Sequence, residues 1–117
     1  MKVTDKKAAR LFLDRKEGRV SSNTRVFSRD DGGEVTYVLE LFGNEIAWHY
    51  EDGMIQVRVT QHSYTTHMRL NALSFLLGSS FQAYTEKRVG YVVHNGETFE
   101  AQPKEVHCLR SLALGVC

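Results

Sequence analysis

The chain has 117 residues, 42% of them hydrophobic and 25% charged, with a single proline at position 103. That length is one domain able to bury roughly two-thirds of the surface its unfolded form exposes, and the composition excludes a disordered chain. No apolar run can span a bilayer and no signal-peptide pattern opens the sequence, so the expectation is a cytoplasmic protein without membrane association. The net charge of +1 hides a division. Residues 1–29 hold nine Lys/Arg (Lys2, Lys6, Lys7, Arg10, Arg15, Lys16, Arg19, Arg25, Arg29) against three acids (Asp5, Asp14, Glu17), and the remainder is acidic. Such asymmetry marks a basic face that meets phosphates or acids, or two halves that neutralise each other inside one fold.

In chain order, DKKAARLFLDRK (5–16) has helical periodicity. Ala8, Ala9, Leu11, Phe12 and Leu13 occupy one arc, and Lys6, Lys7, Arg10 and Asp14 the other. Thr4 or Asp5 would cap this basic N-terminal helix and Gly18 would end it. A short strand is expected at 25–27, then a turn at 30–33. VTYVLELF (35–42), EIAWHY (45–50) and MIQVRVT (54–60) read as a three-strand meander with two-residue turns at Gly43-Asn44 and Asp52-Gly53. Counting from those turns sets Leu41 against Ile46, Leu39 against Trp48 and Tyr37 against Tyr50. Trp48 then lies at the centre of one apolar face together with Ile55, Val57 and Val59. The other face, with Glu40, Glu45, His49, Gln56, Arg58 and Thr60, is mostly solvated.

QHSYTTHMRLNALSFLLG (61–78) reads as a central helix over 66–77, capped by Thr65 or Thr66 and ended by Gly78 in the left-handed conformation. Its leucines pack on the meander, and His67, Asn71 and Ser74 form a narrow polar stripe. Arg69 breaks the pattern, because it falls inside the apolar arc and in the first turn, where the helix dipole disfavours a cation. A buried, unpaired guanidinium would cost several kcal/mol on the order of a full desolvation penalty. Arg69 therefore either forms an ion pair with a sheet carboxylate such as Glu45 or Asp52, or anchors a phosphate or partner carboxylate beside the Thr65/Thr66 amides. FQAYT, VGYVVH and ETFEA complete the core, with an Asn95-Gly96 hairpin that pairs His94 with Glu97 and Val92 with Phe99. The tail HCLRSLALGVC is undecided between helix and strand. The expected fold class is α+β: an antiparallel sheet (meander 35–60 plus a C-terminal hairpin) packed by helix 66–77. It forms one domain over 1–117, with the basic helix in 1–20, the α+β core in 23–101 and a tail in 102–117.

No motif proposes a cofactor, a metal or a catalytic set. His62 and His67 are five apart rather than four, with no acid between them, and Cys108 and Cys117 read as reduced thiols with no CxxC. A small enzyme would need His62, His67, His49 or Cys108 to converge through the fold.

NTRV (23–26), LFGNEIA (41–47) and TTHMRLNALSFLLG (65–78), followed by FQAYTEKRVGYVV, resemble a group of small tailed-bacteriophage proteins. The group's pattern is N-T-x-V, L-x-G-N-x-I-A, then T-T-x-x-R-[LI]-N-A-L-L. The likeness covers about residues 23–93 and is most specific in the T-T-x-x-R-L-N-A-L piece. It departs at Phe42, where a histidine often stands, and at Ser74-Phe75, where leucines are usual. The resemblance implies an infected bacterial cytoplasm as the setting and implies no reaction.

The favoured expectation is thus a non-enzymatic accessory protein that binds a host or phage protein complex, including as an inhibitor of a host defence complex. The alternative is a nucleic-acid-binding protein whose contacts are Lys6, Lys7, Arg10, Arg15, Lys16, Arg19, Arg25 and Arg69. Unblocked edge strands favour a homodimer.

Overall fold

The computed structural model describes residues 2–59, 63–102 and 105–110. Helix α1 (Val3–Leu13) leads into strands β1 (Gly18–Ser21), β2 (Thr24–Asp31), β3 (Glu34–Leu41), β4 (Asn44–His49) and β5 (Ile55–Arg58). Helix α2 (Tyr64–Leu77) follows, then β6 (Gln82–Glu86), β7 (Val89–His94), β8 (Glu97–Glu100) and β9 (Val106–Arg110). The strands form two antiparallel sheets: a six-stranded one in the order β1-β2-β3-β4-β5-β9, and a three-stranded one in the order β6-β7-β8. The meander is thus longer than expected, and the C-terminal hairpin lies in a sheet of its own. Both helices pack on one face of the larger sheet. Ala8, Ala9 and Phe12 of α1 and Leu70, Ala72 and Leu73 of α2 meet Val26, Leu39, Leu41, Ile55 and Val57 in one buried cluster, which Phe81, Ala83 and Val92 join from the smaller sheet.

The turns explain where the observed register departs from the expected one. The β3–β4 hairpin turns on Phe42-Gly43, not Gly43-Asn44, and both residues have positive φ (51° and 78°), as a two-residue type I′ turn requires. Leu41 therefore opposes Asn44. The register then shifts between Leu39↔Ala47 and Glu40↔Glu45, so Ile46 is an extra residue in a β-bulge. The bulge buries Ile46 and Ala47 consecutively and reverses the alternation beyond them. Trp48 is consequently buried on the other side of the sheet, outside the main core cluster. It opposes Val38 and Gln56 on the outer face, where its Nε1 donates to Glu45 Oε1 at 2.9 Å and the Arg58 guanidinium lies 5.1 Å from its ring centroid. His49 takes the inward place, its Nδ1 3.2 Å from the Phe12 carbonyl oxygen of α1. The β4–β5 connection is also longer than two residues: Tyr50 N–H donates to Met54 O, and Gly53 N–H to Tyr50 O.

The helix ends also differ from expectation. At the start of α1 the cap position is Lys2, whose amide donates to Asp5 Oδ2 at 3.0 Å. The helix stops well before Gly18, with Arg15 left-handed (φ 54°) and Lys16 N–H bonded to Leu11 O. Ser63, not a threonine, caps α2, its Oγ accepting the Thr66 amide, while Gly78 ends that helix in the left-handed conformation as its position suggests. The Asn95-Gly96 hairpin has the expected register, His94 opposite Glu97 and Val92 opposite Phe99. The tail holds a strand, β9, added beside β5. The sequence reading of Thr60, His62, Pro103 and residues 111–117 falls outside the described residues.

Candidate functional site

The polar stripe of α2 is turned towards the edge of β6. Asn71 Nδ2 donates to Ala83 O at 2.9 Å, and Ala83 N–H donates to Asn71 Oδ1 at 2.8 Å. Ser74 Oγ donates to Phe81 O at 2.6 Å. The helix thereby occupies main-chain groups of a strand edge that would otherwise be open to pairing.

Arg69 is 6% exposed and Asp5 is fully buried, and the two form an ion pair between α2 and α1. Arg69 Nε also donates to Thr24 Oγ1 at 3.2 Å, and Thr24 Oγ1 donates to Asn23 Oδ1 at 2.6 Å. Asn23 O in turn accepts the Phe42 amide of the next hairpin at 2.8 Å. The expected partners of Arg69, Glu45 and Asp52, are therefore not its partners. Glu45 lies on the outer face, where it binds Arg29 at 2.9 Å, and Asp52 Oδ1 accepts the Met54 amide. The Trp48 N–H, with help from Arg29 and Arg58, holds the Glu45 carboxyl below the usual carboxylate range. A sequence signal for Asp5 existed: it lies on the same helical stripe as Ala9 and Phe12, an acid on the apolar face of α1 just as Arg69 is a cation on the apolar face of α2.

The expected basic residues divide into two groups. Lys6, Lys7, Arg10 and Lys16 are exposed, make no ion pair among the described residues, and line a shallow groove of about 370 Å³ with Val3, Leu11 and Asp14. The others are engaged elsewhere. Arg15 Nη2 donates to Tyr50 O, Arg19 Nη1 reaches the Ser22 carbonyl, and Arg25 pairs with Glu40 at 2.8 Å while lying over Phe27. Arg69 is buried in the Asp5 pair. The structure thus brings four of the eight together on one face.

His49, His67 and Cys108 do not converge, and His62 lies outside the described residues. His49 lies beneath α1, His67 on α2 faces Thr85 of β6, and Cys108 sits opposite Gln56 on the outer face of the large sheet. Among the described residues no three His, Cys, Asp or Glu side chains are placed to hold a metal. Cys108 is disulfide-bonded, which corrects the expectation of a reduced thiol at that position. His107 is a buried titratable group not singled out in the sequence. Its Nε2 has no hydrogen-bond partner among the described residues, and burial lowers its pKa against the raising effect of Glu105, 3.8 Å away.

A family model described as the Kyanoviridae Gp96 protein matches residues 1–106. The chain belongs to the Kyanoviridae Gp96 protein family. It is a phage protein, and the match takes in α1 and the basic groove, which the shorter resemblance over 23–93 left out. No curated protein and no solved structure matches the Gp96-family chain. No helix among its described residues is long and apolar enough to cross a membrane.

Proposed function

We propose that this Gp96-family protein is a non-enzymatic accessory protein that works in the cytoplasm of an infected bacterium by docking the outer face of α1 on an acidic surface of a host or phage protein complex. The observation that carries this reading is the pairing pattern. Lys6, Lys7, Arg10 and Lys16 share one face with a single acid, Asp14, and form no ion pair among the described residues, whereas Arg25, Arg29 and Arg69 are all paired internally. Val3, 83% exposed, and Leu11 lie in the same groove, so the face mixes apolar and cationic groups. That mixture suits a protein surface better than a phosphate backbone, because interface cores are apolar and charges there set specificity and approach rate.

The test is affinity capture from nuclease-treated extract of infected host cells, comparing the natural chain with Lys6→Glu/Lys7→Glu/Arg10→Glu. The expected result is a defined set of proteins retained by the former and lost by the latter. A parallel anisotropy titration uses duplex and single-stranded DNA at two salt concentrations. Salt-steep binding lost in the same triple variant would replace this reading with the nucleic-acid one, since phosphate contacts by four cations give a steep slope of log K on log salt. Equal capture by both chains would remove the α1 face from either.

A further inference from the structure

The Arg69 network has an open side. Lys2, Thr4 and Asp5 of the α1 start, Ser21, Ser22 and Asn23 of the β1–β2 turn, and Tyr64, Thr65, Met68 and Arg69 of α2 enclose a cleft of about 250 Å³. Its charged lining is Lys2, Arg69 and Asp5, with the last two paired to each other. Among the described residues Asp5 is its one carboxylate, which is fully buried and already accepts from Arg69 and from the Lys2 amide. Two cations remain. Lys2 is exposed, its Nζ lying 5.6 Å from the Tyr64 ring centroid at the rim. Arg69 lies at the floor, with Nε on Thr24 and Nη1 on Asp5, and its Nη2 has no partner among the described residues. A guanidinium that is more than nine-tenths buried yet keeps an unused donor on a cavity wall is poised for an acceptor. Neutral donors surround it: the hydroxyls of Thr4, Ser22 and Thr65, and the α2 amides of Tyr64 and Thr65, which precede that helix's first internal bond, from His67 N–H to Ser63 O.

We propose that this cleft binds a phosphomonoester. Its dianion would sit between Arg69 Nη2 and Lys2, accept from the Thr65 and Ser22 hydroxyls and the first-turn amides of α2, and leave the remainder of the ligand against the exposed Tyr64 ring. A phosphate offers enough acceptor positions for this set of donors, whereas a carboxylate offers fewer. The site is separate from the basic groove of α1, so it stands or fails independently of the partner-docking reading. Two sources carry the same group: a free nucleotide, and the 5′-phosphate end of a nucleic-acid strand.

The experiment is a ¹H–¹⁵N NMR titration of the full chain with inorganic phosphate, with adenosine monophosphate, and with a short single strand carrying either a 5′-phosphate or a 5′-hydroxyl. The expected result is saturable shifts of the Ser22, Asn23, Tyr64 and Thr65 amides. Lys2→Gln should weaken binding about tenfold, the usual consequence of losing one charge-assisted contact, and Ser22→Asp should abolish it. Both substitutions are at exposed positions, so the fold survives, and unchanged spectra elsewhere verify that. Saturation by the mononucleotide assigns a free nucleotide, and preference for the 5′-phosphate strand over its hydroxyl form assigns a strand end. Shifts confined to Lys6, Lys7 and Arg10, the absence of saturation with every probe, or Lys2→Gln and Ser22→Asp binding as the natural chain does would overturn the proposal.

Discussion

The Asp5–Arg69 pair yields the most demanding prediction. Asp5→Ala leaves a guanidinium 6% exposed with only a threonine hydroxyl as partner, and Arg69→Met leaves a fully buried carboxylate holding one amide. Breaking one side of a buried ion pair costs about 3–5 kcal/mol, because the surviving charge stays desolvated without its partner. Domains of this size are stable by only about 5–15 kcal/mol, so each single variant should be severely destabilised and one could be largely unfolded at 37 °C. The double variant Asp5→Ala/Arg69→Met removes both charges at once. Its cost should be far less than the sum of the singles, with a coupling energy of at least about 2 kcal/mol. Urea unfolding followed by the fluorescence of the single tryptophan, Trp48, measures all four corners of the cycle. Singles that each cost less than about 1 kcal/mol, or costs that add within about 0.5 kcal/mol, would refute the view that this pair is desolvated and mutually dependent.

Further outcomes follow from other parts of the fold. The β6–β7 turn places Lys87 and Arg88 at φ 50° and 67°, so Lys87→Asn/Arg88→Gly should raise stability by roughly 1–2 kcal/mol and shift the melting temperature up by several degrees. Asn71→Ala removes both hydrogen bonds to the Ala83 main chain, costs about 1–2 kcal/mol in thermal or urea unfolding, and opens the β6 edge, seen as concentration-dependent association in sedimentation. His107 holds its proton less tightly folded than unfolded, chiefly through burial. Its contribution to stability is therefore full above the ordinary histidine value of 6.5 and falls as pH drops through 6.5 towards the lowered folded value, by up to about 1.4 kcal/mol per pH unit. His107→Phe should flatten that acid slope, and an unchanged slope would show that the buried imidazole is not its source.

What was legible in the sequence, and what was not, follows from the range over which each signal acts. Gly78 and the Asn95-Gly96 hairpin were readable because a left-handed residue and a two-residue turn are set by their own backbone sterics. The Gly43-Asn44 pair misled for the same local reason. Asn-Gly order is what a type I′ turn favours, and here the chain instead accepts Phe42 at φ 51° in the first position. That choice cannot be read from the turn alone, since it is held by the Phe42 amide bonding to Asn23 in the adjacent hairpin. The Ile46 bulge then compensates for the shift, so that Leu39, Leu41, Ile46, Ile55 and Val57 stay buried as patterning requires, and only Trp48 and its neighbours change sides.

The candidate sites divide along the same line. The exposed basic face of α1 follows from helical periodicity, so Lys6, Lys7, Arg10 and Lys16 could be placed together from spacing. Which arginines keep an unpaired charge depends on acids far away in the chain, and Glu40, Glu45 and Asp5 neutralise Arg25, Arg29 and Arg69 through pairings that only the tertiary fold creates. Arg69 shows how far sequence reasoning could still have gone. A cation on a buried helix face demands an acid that is equally out of place, and Asp5 on the apolar stripe of α1 is the acid that meets that requirement. The two misfits resolve each other. Matching such anomalies across elements recovers a long-range contact that neither periodicity nor turn chemistry provides.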